Sequence, residues 1–384
     1  MAAAPTPRQM IETLVSFDTT SRESNLALIH FVRDYLASHD IESTLIHDET
    51  GRKANLFATV GPKVDGGVVL SGHTDVVPVD GQQWSSEPFS VSERDGRLYG
   101  RGTADMKSFS AIALALVPEM LQAGLKKPIH FALSYDEEVG CLGAHGLSEH
   151  LAGLPQRPQA MIVGEPTEMK VVNAHKGSLS YVTTVTGLEA HSSATHQGVN
   201  TIFYAAELIA FLRRQAEAMK TEQTGERFDP PYTTVHVGLV NGGTALNIIP
   251  KRTSFTWECR VVPGHDGTVV RERFDAFARD ELLPEMRAVY PEADIVTEVR
   301  ARVTPLVPQD GSPAETLVLA LAGSNETHAV SYGTEAGIFQ EGGVPAVVCG
   351  PGNIREAHKP DEFIELSQVE ACTAFLRRLI DHLS

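Results

Sequence analysis

Short apolar runs in this chain end in acidic or histidine-bearing segments, and this arrangement constrains the fold more than any other feature. The runs GVVLSG, HFALSY and AMIVGE are predicted to be buried strands, with SAIALALVPEMLQAG as a helix between the first two. Strand and helix patterns that alternate in this way favour an α/β fold. Since α/β sheets bind ligands beyond their strand ends, we expect the polar side chains there to form the functional site.

Five polar segments supply one candidate metal ligand each. They offer two histidines and three carboxylates, which are nitrogen and oxygen ligands that zinc or cobalt accepts. One carboxylate shared between two ions would let five residues hold both ions and leave room for a water molecule. The segments are GHTDVVPVD (72–80), GTADMK (102–107), YDEEVGCLGA (135–144), GEPTEMK (164–170) and AHKPDEF (357–363), and the ligands are His73, Asp105, Glu138, Glu165 and His358.

Two further carboxylates lie beside these ligands in the sequence. Asp75 is two positions after His73, so on an extended segment both side chains face the same way. Its carboxylate is then expected to accept a hydrogen bond from the His73 ring nitrogen that does not contact a metal. Glu137 and Glu138 are adjacent and their side chains diverge, so we assign Glu138 as the ligand and Glu137 as the general base.

The pattern changes at about residue 178 and changes back at about residue 298. LSYVTTVTG, TVHVGLVNGG and SFTWECRVVPG are predicted to be half-exposed strands, interleaved with the helices NTIFYAAELIAFLRRQAEAM and TVVRERFDAFARDELL. A strand–helix–strand–strand–helix–strand order predicts a small α+β unit with a ferredoxin-like fold. We therefore predict a catalytic domain formed by residues 1–177 and 298–384, with residues 178–297 inserted in it as a second domain.

Charge and cysteine usage restrict the partners and the compartment. The net charge of -17 argues against a nucleic-acid partner or an anionic membrane, because both recruit basic surfaces. The four cysteines are scattered without CxxC spacing, so neither a disulfide framework nor a cysteine metal site is expected. The N-terminal segment lacks a signal-like apolar core, and no segment reaches membrane-spanning length, which predicts a cytoplasmic protein.

Four further segments extend the pattern along the chain: AHKGSLSY (174–181), AHSSATHQGVNTI (190–202), NGGTALNIIP (241–250) and SYGTEAGIFQ (331–340). With the five metal segments, and in the same order, they resemble the di-zinc aminoacylase, carboxypeptidase and deacylase family. Within that family the resemblance is strongest to the acetylornithine deacetylases. It implies a mixed-sheet metallohydrolase catalytic domain and an inserted domain that acts as a lid and forms a homodimer.

The resemblance also implies how the ligands share two metal ions. Asp105 would bridge the ions, His73 and Glu165 would complete one site, and Glu138 with His358 would complete the other. The cofactors would be two divalent ions, Zn²⁺ or alternatively Co²⁺, with a bridging water from which Glu137 takes a proton. A cis peptide bond is implied between Asp105 and Met106.

In the inserted domain, the resemblance implies residues that contact a small N-acyl amino acid. His191 would reach the active site of the partner subunit and donate to the oxyanion that develops during amide hydrolysis. Arg260 and Asn247 would hold the substrate carboxylate, and a planar guanidinium suits that task. Further matched contact positions are Ser178, Gly333 and Thr334.

Ordinary structural roles stay open for several of these residues. Asp105 could cap a helix that starts at Met106, Asp75 could be a turn residue, and Arg260 could only pair across strands. The glycines of NGG and GPGN are expected in turns rather than in a phosphate-binding loop.

The TEAG segment bears on the acyl group of the substrate. Succinyl-diaminopimelate desuccinylases typically read GTSDARF where this chain reads GTEAGIF, so their arginine and aspartate positions are Ile338 and Ala336 here. The missing cation disfavours an acyl group that ends in a carboxylate. Glu335 could instead attract a cationic side chain such as the ammonium group of ornithine, and the resemblance implies a deacetylase for N2-acetyl-L-ornithine in arginine biosynthesis. The alternatives are a relative acting on acetylcitrulline, succinyl-diaminopimelate or a dipeptide, and a catalytically silent homologue, which the intact Glu137 disfavours.

Overall fold

The computed structural model describes residues 4–384 and divides them into two compact units. The first unit comprises the chain up to Ala174, together with Leu306–Ala329 and Thr334–Ser384. The second comprises His175–Pro305 and Val330–Gly333, so it is inserted in the first along the chain. Among the described residues, every helix is too short or too polar to cross a bilayer.

Up to the insertion, the chain contains helices and short strands, and the three predicted strands GVVLSG, HFALSY and AMIVGE correspond to β3, β6 and β7 of the structure. The elements are α1 (Pro7–Val15), α2 (Leu26–Ala37), β1 (Ser43–His47), β2 (Ala54–Val60), β3 (Val68–His73), β4 (Ser92–Arg94), β5 (Arg97–Tyr99), α3 (Lys107–Ala115), α4 (Val117–Gln122), β6 (Ile129–Ser134), α5 (Leu142–Ala152), β7 (Ala160–Pro166) and β8 (Val172–His175). The single helix predicted after GTADMK is therefore two helices, because Pro118 lies in the first turn of α4 and cannot continue α3.

The inserted unit contains four strands and its own helices. They are β9 (Gly177–Thr186), a 3₁₀ turn (Thr195–Gln197), α6 (Thr201–Glu222), β10 (Thr234–Gly242), β11 (Arg252–Val261), α7 (Val269–Phe277), a π turn (Ala278–Leu282), α8 (Leu283–Val289) and β12 (Asp294–Val303). The strands form an antiparallel sheet in the order β10-β11-β9-β12. This order, with helices after the first and third strands, confirms the predicted ferredoxin-like fold.

The chain then completes the first unit. Its last elements are α9 (Pro313–Ala322), β13 (His328–Val330), α10 (Ala336–Glu341), β14 (Ala346–Gly350), a 3₁₀ turn (Ile354–Glu356), β15 (Phe363–Glu365) and α11 (Leu366–Leu383). The main sheet has the order β1-β2-β6-β3-β7-β14-β8-β13, and β15, β5 and β4 form a small separate sheet. The main sheet is mixed, because β6, β3, β7 and β14 run parallel, whereas the pairs β1–β2, β2–β6 and β14–β8 are antiparallel.

Both faces of the central strands are buried, which explains why they are apolar without alternation. Leu70, Phe131 and Ile162 belong to one core with α1, α2, α3 and α11. Their neighbours Val69 and Met161 point to the opposite face, where α5 and α10 pack, and are also fully buried. Because both faces of these parallel strands are covered, a ligand can reach the sheet only at the strand ends. The α/β fold therefore predicts the functional site at the carboxyl ends of these strands.

Candidate metal centre

The carboxyl ends of four neighbouring parallel strands carry the polar segments. In the main sheet, β6, β3, β7 and β14 lie side by side and run parallel. His73 is the last residue of β3, and Glu165 lies near the end of β7. Glu137 and Glu138 follow β6, and His358 lies in the loop after β14. Because these strands all end at the same edge, side chains that are far apart in sequence converge there.

Asp105 lies between the two histidines. Its Oδ1 is 3.0 Å from Nε2 of His73, and its Oδ2 is 3.2 Å from Nε2 of His358. One carboxylate thus faces two ring nitrogens with separate oxygens, as a ligand shared by two cations must. The N-cap residue of α3 is Met106, and no side chain caps the helix, so Asp105 does not serve as its cap. The peptide bond from Asp105 to Met106 is cis, as the resemblance implies.

Glu138 and Glu165 complete two groups of ligand atoms around Asp105. Oε2 of Glu138 is 3.0 Å from Nε2 of His358, and Oε1 of Glu165 is 3.7 Å from Nε2 of His73. Ligand atoms of His73, Asp105 and Glu138 all lie within 4.8 Å of one another. The structure therefore brings all five predicted ligands together at one edge of the sheet.

Glu137 lies on the His73 side of the cluster. Ligand atoms of His73, Glu137 and Glu165 lie within 4.8 Å of one another, so this group could also hold an ion. The backbone N–H groups of Glu137 and Glu138 donate to the carboxylate of Asp75 at 3.0 and 3.3 Å. Asp75 therefore anchors the turn that presents both glutamates to the site.

Asp75 orients His73 differently from the prediction. Nδ1 of His73 is 2.9 Å from the backbone carbonyl oxygen of Asp75 but 3.7 Å from its carboxylate. The prediction that the carboxylate accepts this hydrogen bond is therefore wrong, because the carbonyl lies closer. The carboxylate instead accepts hydrogen bonds from the hydroxyl of Ser21 at 2.7 Å and from the glutamate turn.

The buried carboxyls carry more negative charge than the two histidines neutralise. Burial raises the pKa of Glu138 to about 7 and raises the pKa values of Glu137 and Glu165 well above their ordinary range. Burial also acts to raise the pKa of Asp105, but hydrogen bonds from His358 and His73 outweigh it and hold that pKa far below its ordinary value. Cations would compensate this excess of buried acid groups, so the donor set fits two divalent ions.

These pKa shifts predict how the metal-free chain responds to pH. The pKa of Glu138 is 4.5 in its ordinary state and about 7 when folded, so the resulting stabilisation is present below pH 4.5 and lost as the pH rises through 7. Hydrogen bonds to Asp105 and Glu138 raise the pKa of His358 from 6.5 to about 10, so its contribution is lost as the pH rises through 10. The lowered pKa of Asp105 has the opposite effect on stability, because its contribution is lost as the pH falls. That loss occurs only below pH 3.8, the ordinary pKa of an aspartate.

We therefore expect the melting temperature of chelator-treated protein to fall from about pH 5 to about pH 9. Saturating Zn²⁺ should weaken this trend, because the ions bind ionised carboxylates and neutral imidazoles. Calorimetric melting at several pH values, with and without the metal, measures both effects. A metal-free melting temperature that rises over this range would contradict the assigned shifts.

The predicted substrate-contact residues of the inserted unit form two local groups. Ser178 on β9 and Arg260 on β11 are direct cross-strand partners. Nη2 of Arg260 is 3.0 Å from Oε2 of Glu258, so its guanidinium already has an anionic partner. His191 and Asn247 lie in adjoining exposed loops, joined by a 3.1 Å hydrogen bond from the backbone N–H of Ser192 to the carbonyl oxygen of Asn247. Their contact with substrate stays a prediction.

The SYGTEAGIFQ segment lies deeper than expected. Glu335 is only 1% exposed, and its Oε2 accepts a hydrogen bond from the hydroxyl of Ser71 at 3.5 Å. Thr334 is fully buried, and its hydroxyl accepts a hydrogen bond from the N–H of Ala336. The contact between Glu335 and a substrate ammonium stays a prediction, and this burial means that the ammonium would have to reach Glu335 below the strand ends. Gly333 belongs to the inserted unit.

Some residues that support the site were not predicted from the sequence. Ser21 bonds to Asp75 although it lies in an N-terminal segment without any metal motif, so only the fold connects the two. Arg101 and Glu362 form a buried ion pair, with Nη1 2.6 Å from Oε2. Their position gave a usable signal, because Arg101 directly precedes GTADMK and Glu362 lies within AHKPDEF.

Known proteins are similar to this chain in sequence and in fold over nearly its whole length. The sequence pattern of peptidase family M20/M25/M40 matches residues 69–382. An acetylornithine deacetylase from Myxococcus xanthus is 37% identical over 98% of this chain and 97% of its own length. One from Proteus mirabilis (strain HI4320) is 34% identical over 98% and 95%, respectively.

Solved structures agree on the fold. An M20 family metallo-carboxypeptidase from Sulfolobus solfataricus has a TM-score of 0.76 at 16% identity and covers 98% of this chain and 99% of its own. Human carnosine dipeptidase 1 has a TM-score of 0.73 at 15% identity, with 98% and 96% covered. A dinuclear metal-binding peptidase of the M20 family from Bacillus subtilis has a TM-score of 0.62 at 17% identity, with 98% of each chain covered. The chain therefore belongs to peptidase family M20/M25/M40 and is an amidohydrolase.

Proposed function

We propose that this amidohydrolase hydrolyses N2-acetyl-L-ornithine to L-ornithine and acetate, a step of arginine biosynthesis. The observation that carries the proposal is the position of Asp105, whose two oxygens face His73 and His358. That position supports a centre of two metal ions for amide hydrolysis. The names of the relatives from Myxococcus xanthus and Proteus mirabilis support acetylornithine as the substrate.

The metal centre is proposed to use the five residues grouped at the sheet edge. Asp105 is shared, His73 and Glu165 hold one cation, and Glu138 and His358 hold the other. Zn²⁺ is the proposed ion and Co²⁺ the alternative, since both accept nitrogen and oxygen ligands. When bound, two such cations would lower the pKa of a water molecule and polarise the acyl carbonyl.

Glu137 moves the proton in the proposed reaction. Its carboxylate takes a proton from the attacking water and then delivers it to the leaving amine of ornithine. Burial raises the pKa of its carboxyl group, which favours proton uptake and suits a group that acts first as a base and then as an acid. Asp75 fixes the backbone of Glu137 and so holds the carboxylate in place.

The inserted domain is proposed to hold the rest of the substrate. Arg260 binds the α-carboxylate with Asn247, and Ser178 lies beside Arg260 on the neighbouring strand. Binding replaces Glu258 by the substrate carboxylate as the partner of Arg260. His191 donates to the developing oxyanion, and removal of such donors elsewhere costs about 3–4 kcal/mol. Gly333 and Thr334 remain proposed contact positions.

We propose that residues 178–297 also form a homodimer. Strand β10 is an edge strand of its sheet, and Leu239 and Val240 on it are 58% and 55% exposed. Phe203 near the start of α6 is 67% exposed. Apolar side chains and an unpaired strand edge favour association with a second copy. Sedimentation of the purified chain should give a dimer, and a monomer at all concentrations tested would exclude it.

The proposed compartment is the cytoplasm. The four cysteines are all free thiols in buried positions, which suits a reducing environment. Fractionation of the producing cells with a specific antibody tests this location directly, and recovery from an oxidising compartment would contradict it.

The substrate is tested with a panel of amides and the metal-loaded protein. The panel contains N2-acetylornithine, N-acetylcitrulline, N-acetylmethionine, N-succinyl-diaminopimelate and a dipeptide, each followed by steady-state hydrolysis. We expect the highest kcat/KM for N2-acetylornithine. Preference for another member would keep the amide chemistry and overturn the substrate, whereas no turnover with two cations bound would indicate a catalytically silent homologue.

A further inference from the structure

A buried carboxylate that is not a proposed ligand holds the backbone beneath Asp105. Glu362 is fully buried, and its Oε1 accepts hydrogen bonds from the N–H groups of Gly102, Ala104 and Asp105 at 3.0, 2.9 and 3.0 Å. One oxygen thus satisfies three donors of the loop that ends in the shared ligand. Hydrogen bonds to an ionised acceptor are about twice as strong as neutral ones, so the loop is firmly placed.

The other oxygen of Glu362 is connected through a series of hydrogen bonds to the loop that contains His358. Oε2 accepts a 2.6 Å hydrogen bond from Nη1 of Arg101, which is 1% exposed. Nη2 of Arg101 donates to Oε1 of Gln82 at 2.7 Å, and Nε2 of Gln82 donates to the carbonyl oxygen of His358 at 3.0 Å. Nη1 of Arg101 also lies 3.4 Å from the carbonyl oxygen of Lys359.

We propose that Glu362, Arg101 and Gln82 are positioning residues that fix the backbone of Asp105 relative to the backbone of His358. We call this set the brace. The inference rests on the proposed metal centre and goes beyond its ligands, because no member of the brace offers an atom to a cation in this arrangement. His73 and Glu165 need no such support, since both are placed within strands of the main sheet.

The members of the brace are expected to support the two proposed cation positions unequally. His358 lies in a loop, and its side chain is 53% exposed, so the sheet alone does not fix it. Its carbonyl is held by Gln82, whereas Asp105, shared by both positions, is held by Glu362. Loss of Gln82 should therefore weaken mainly the Glu138–His358 position, and loss of Glu362 should weaken both positions.

The test is a calorimetric titration of Zn²⁺ into chelator-treated protein, repeated with Co²⁺ and read by its visible absorption. The variants are Gln82→Leu, which keeps the size of the side chain but removes its hydrogen bonds, and Glu362→Gln. His358→Ala identifies the binding step that belongs to the Glu138–His358 position. Glu365→Gln is the matched control, because Glu365 lies three residues further along and pairs with Arg97 at the surface at 3.4 Å.

In Gln82→Leu we expect the step identified by His358→Ala to weaken about 10–100-fold, the usual loss for a group that supports a ligand, with the other step unchanged. In Glu362→Gln we expect both steps to weaken, and in Glu365→Gln neither. Unchanged cation affinities in Gln82→Leu would overturn the brace, as would an equal loss at both steps. If the unchanged chain binds no pair of cations, the metal centre itself is refuted and the brace with it.

Should Glu362→Gln fail to fold, Gln82→Leu decides alone, because Gln82 is only partly buried and its replacement does not leave a charge unpaired in the interior. The melting temperature of each variant without metal separates the two cases. A brace that positions ligands changes the affinity ratio between the two steps, and a general loosening of the fold does not.

Discussion

Replacing Glu137, the proposed general base, by Gln is expected to slow hydrolysis of the proposed substrate N2-acetylornithine by about 10²–10⁴-fold, the usual effect of losing a general acid or base. The amide has the shape of the carboxylate but cannot take a proton from water. The contact of this residue with Asp75 uses the backbone N–H, so it survives the change and the turn should keep its place. Steady-state kcat and KM measure the loss, which should fall on kcat.

The number of bound cations distinguishes a base from a ligand at this position. Because His73, Glu137 and Glu165 also form a possible ligand group, we expect two cations per chain in Glu137→Gln only if Glu137 acts as the base. Loss of one cation together with activity would make it a ligand instead. Glu168→Gln is a suitable control, since Glu168 pairs with Lys170 at the surface at 3.0 Å and both properties should stay unchanged.

Replacing Asp105 by Asn is expected to have the largest effect on metal binding. Its carboxylate is the group that faces both histidines, so the change removes a charged ligand from both positions at once. The affinity for the pair of cations should fall by more than about 100-fold, the upper end of what a lost supporting contact costs. Hydrolysis should fall below detection at cation concentrations that saturate the unchanged chain.

Equilibrium dialysis with metal analysis gives the stoichiometry of Asp105→Asn, and Asp95→Asn is its control. Asp95 lies in the exposed turn between β4 and β5 with a positive φ, a conformation that asparagine tolerates well. Two tightly bound cations in Asp105→Asn would exclude a shared role for this residue. Retained hydrolysis at one cation per chain would show that the second ion is dispensable.

Three of the proposed ligands, His73, Glu138 and Glu165, were easy to single out because they lie within or soon after strongly apolar strand patterns. The apolar run GVVLSG predicts a strand, and β3 ends at His73, directly after that run. The strands β3, β6, β7 and β14 are buried on both faces, so their apolar runs contrast sharply with the polar residues that follow. The apolar runs did not predict which strands lie next to each other in the sheet, since strand pairing depends on the tertiary structure.

Contacts that depend on differences of less than about one ångström between two distances were not predictable from the sequence. Two-residue spacing places Asp75 beside His73, but it does not decide whether the carbonyl or the carboxylate lies closer to Nδ1. The burial of Glu335 likewise depends on how α10 packs on the main sheet, which its own sequence does not encode. The positions of Arg101 and Glu362 beside two metal segments marked both residues, but their pairing across the chain depends on the tertiary structure.

The position of β14 has a consequence for the order in which the protein is made. This strand lies between β7 and β8 in the main sheet, although both precede the inserted unit and β14 follows it. During synthesis, β7 and β8 are thus made before the strand that pairs between them. When β14 is made and inserts there, the loop after it places His358 at the sheet edge. Such distant pairing is slow to form, so competence to bind the second proposed cation should arise only after the inserted unit has been made.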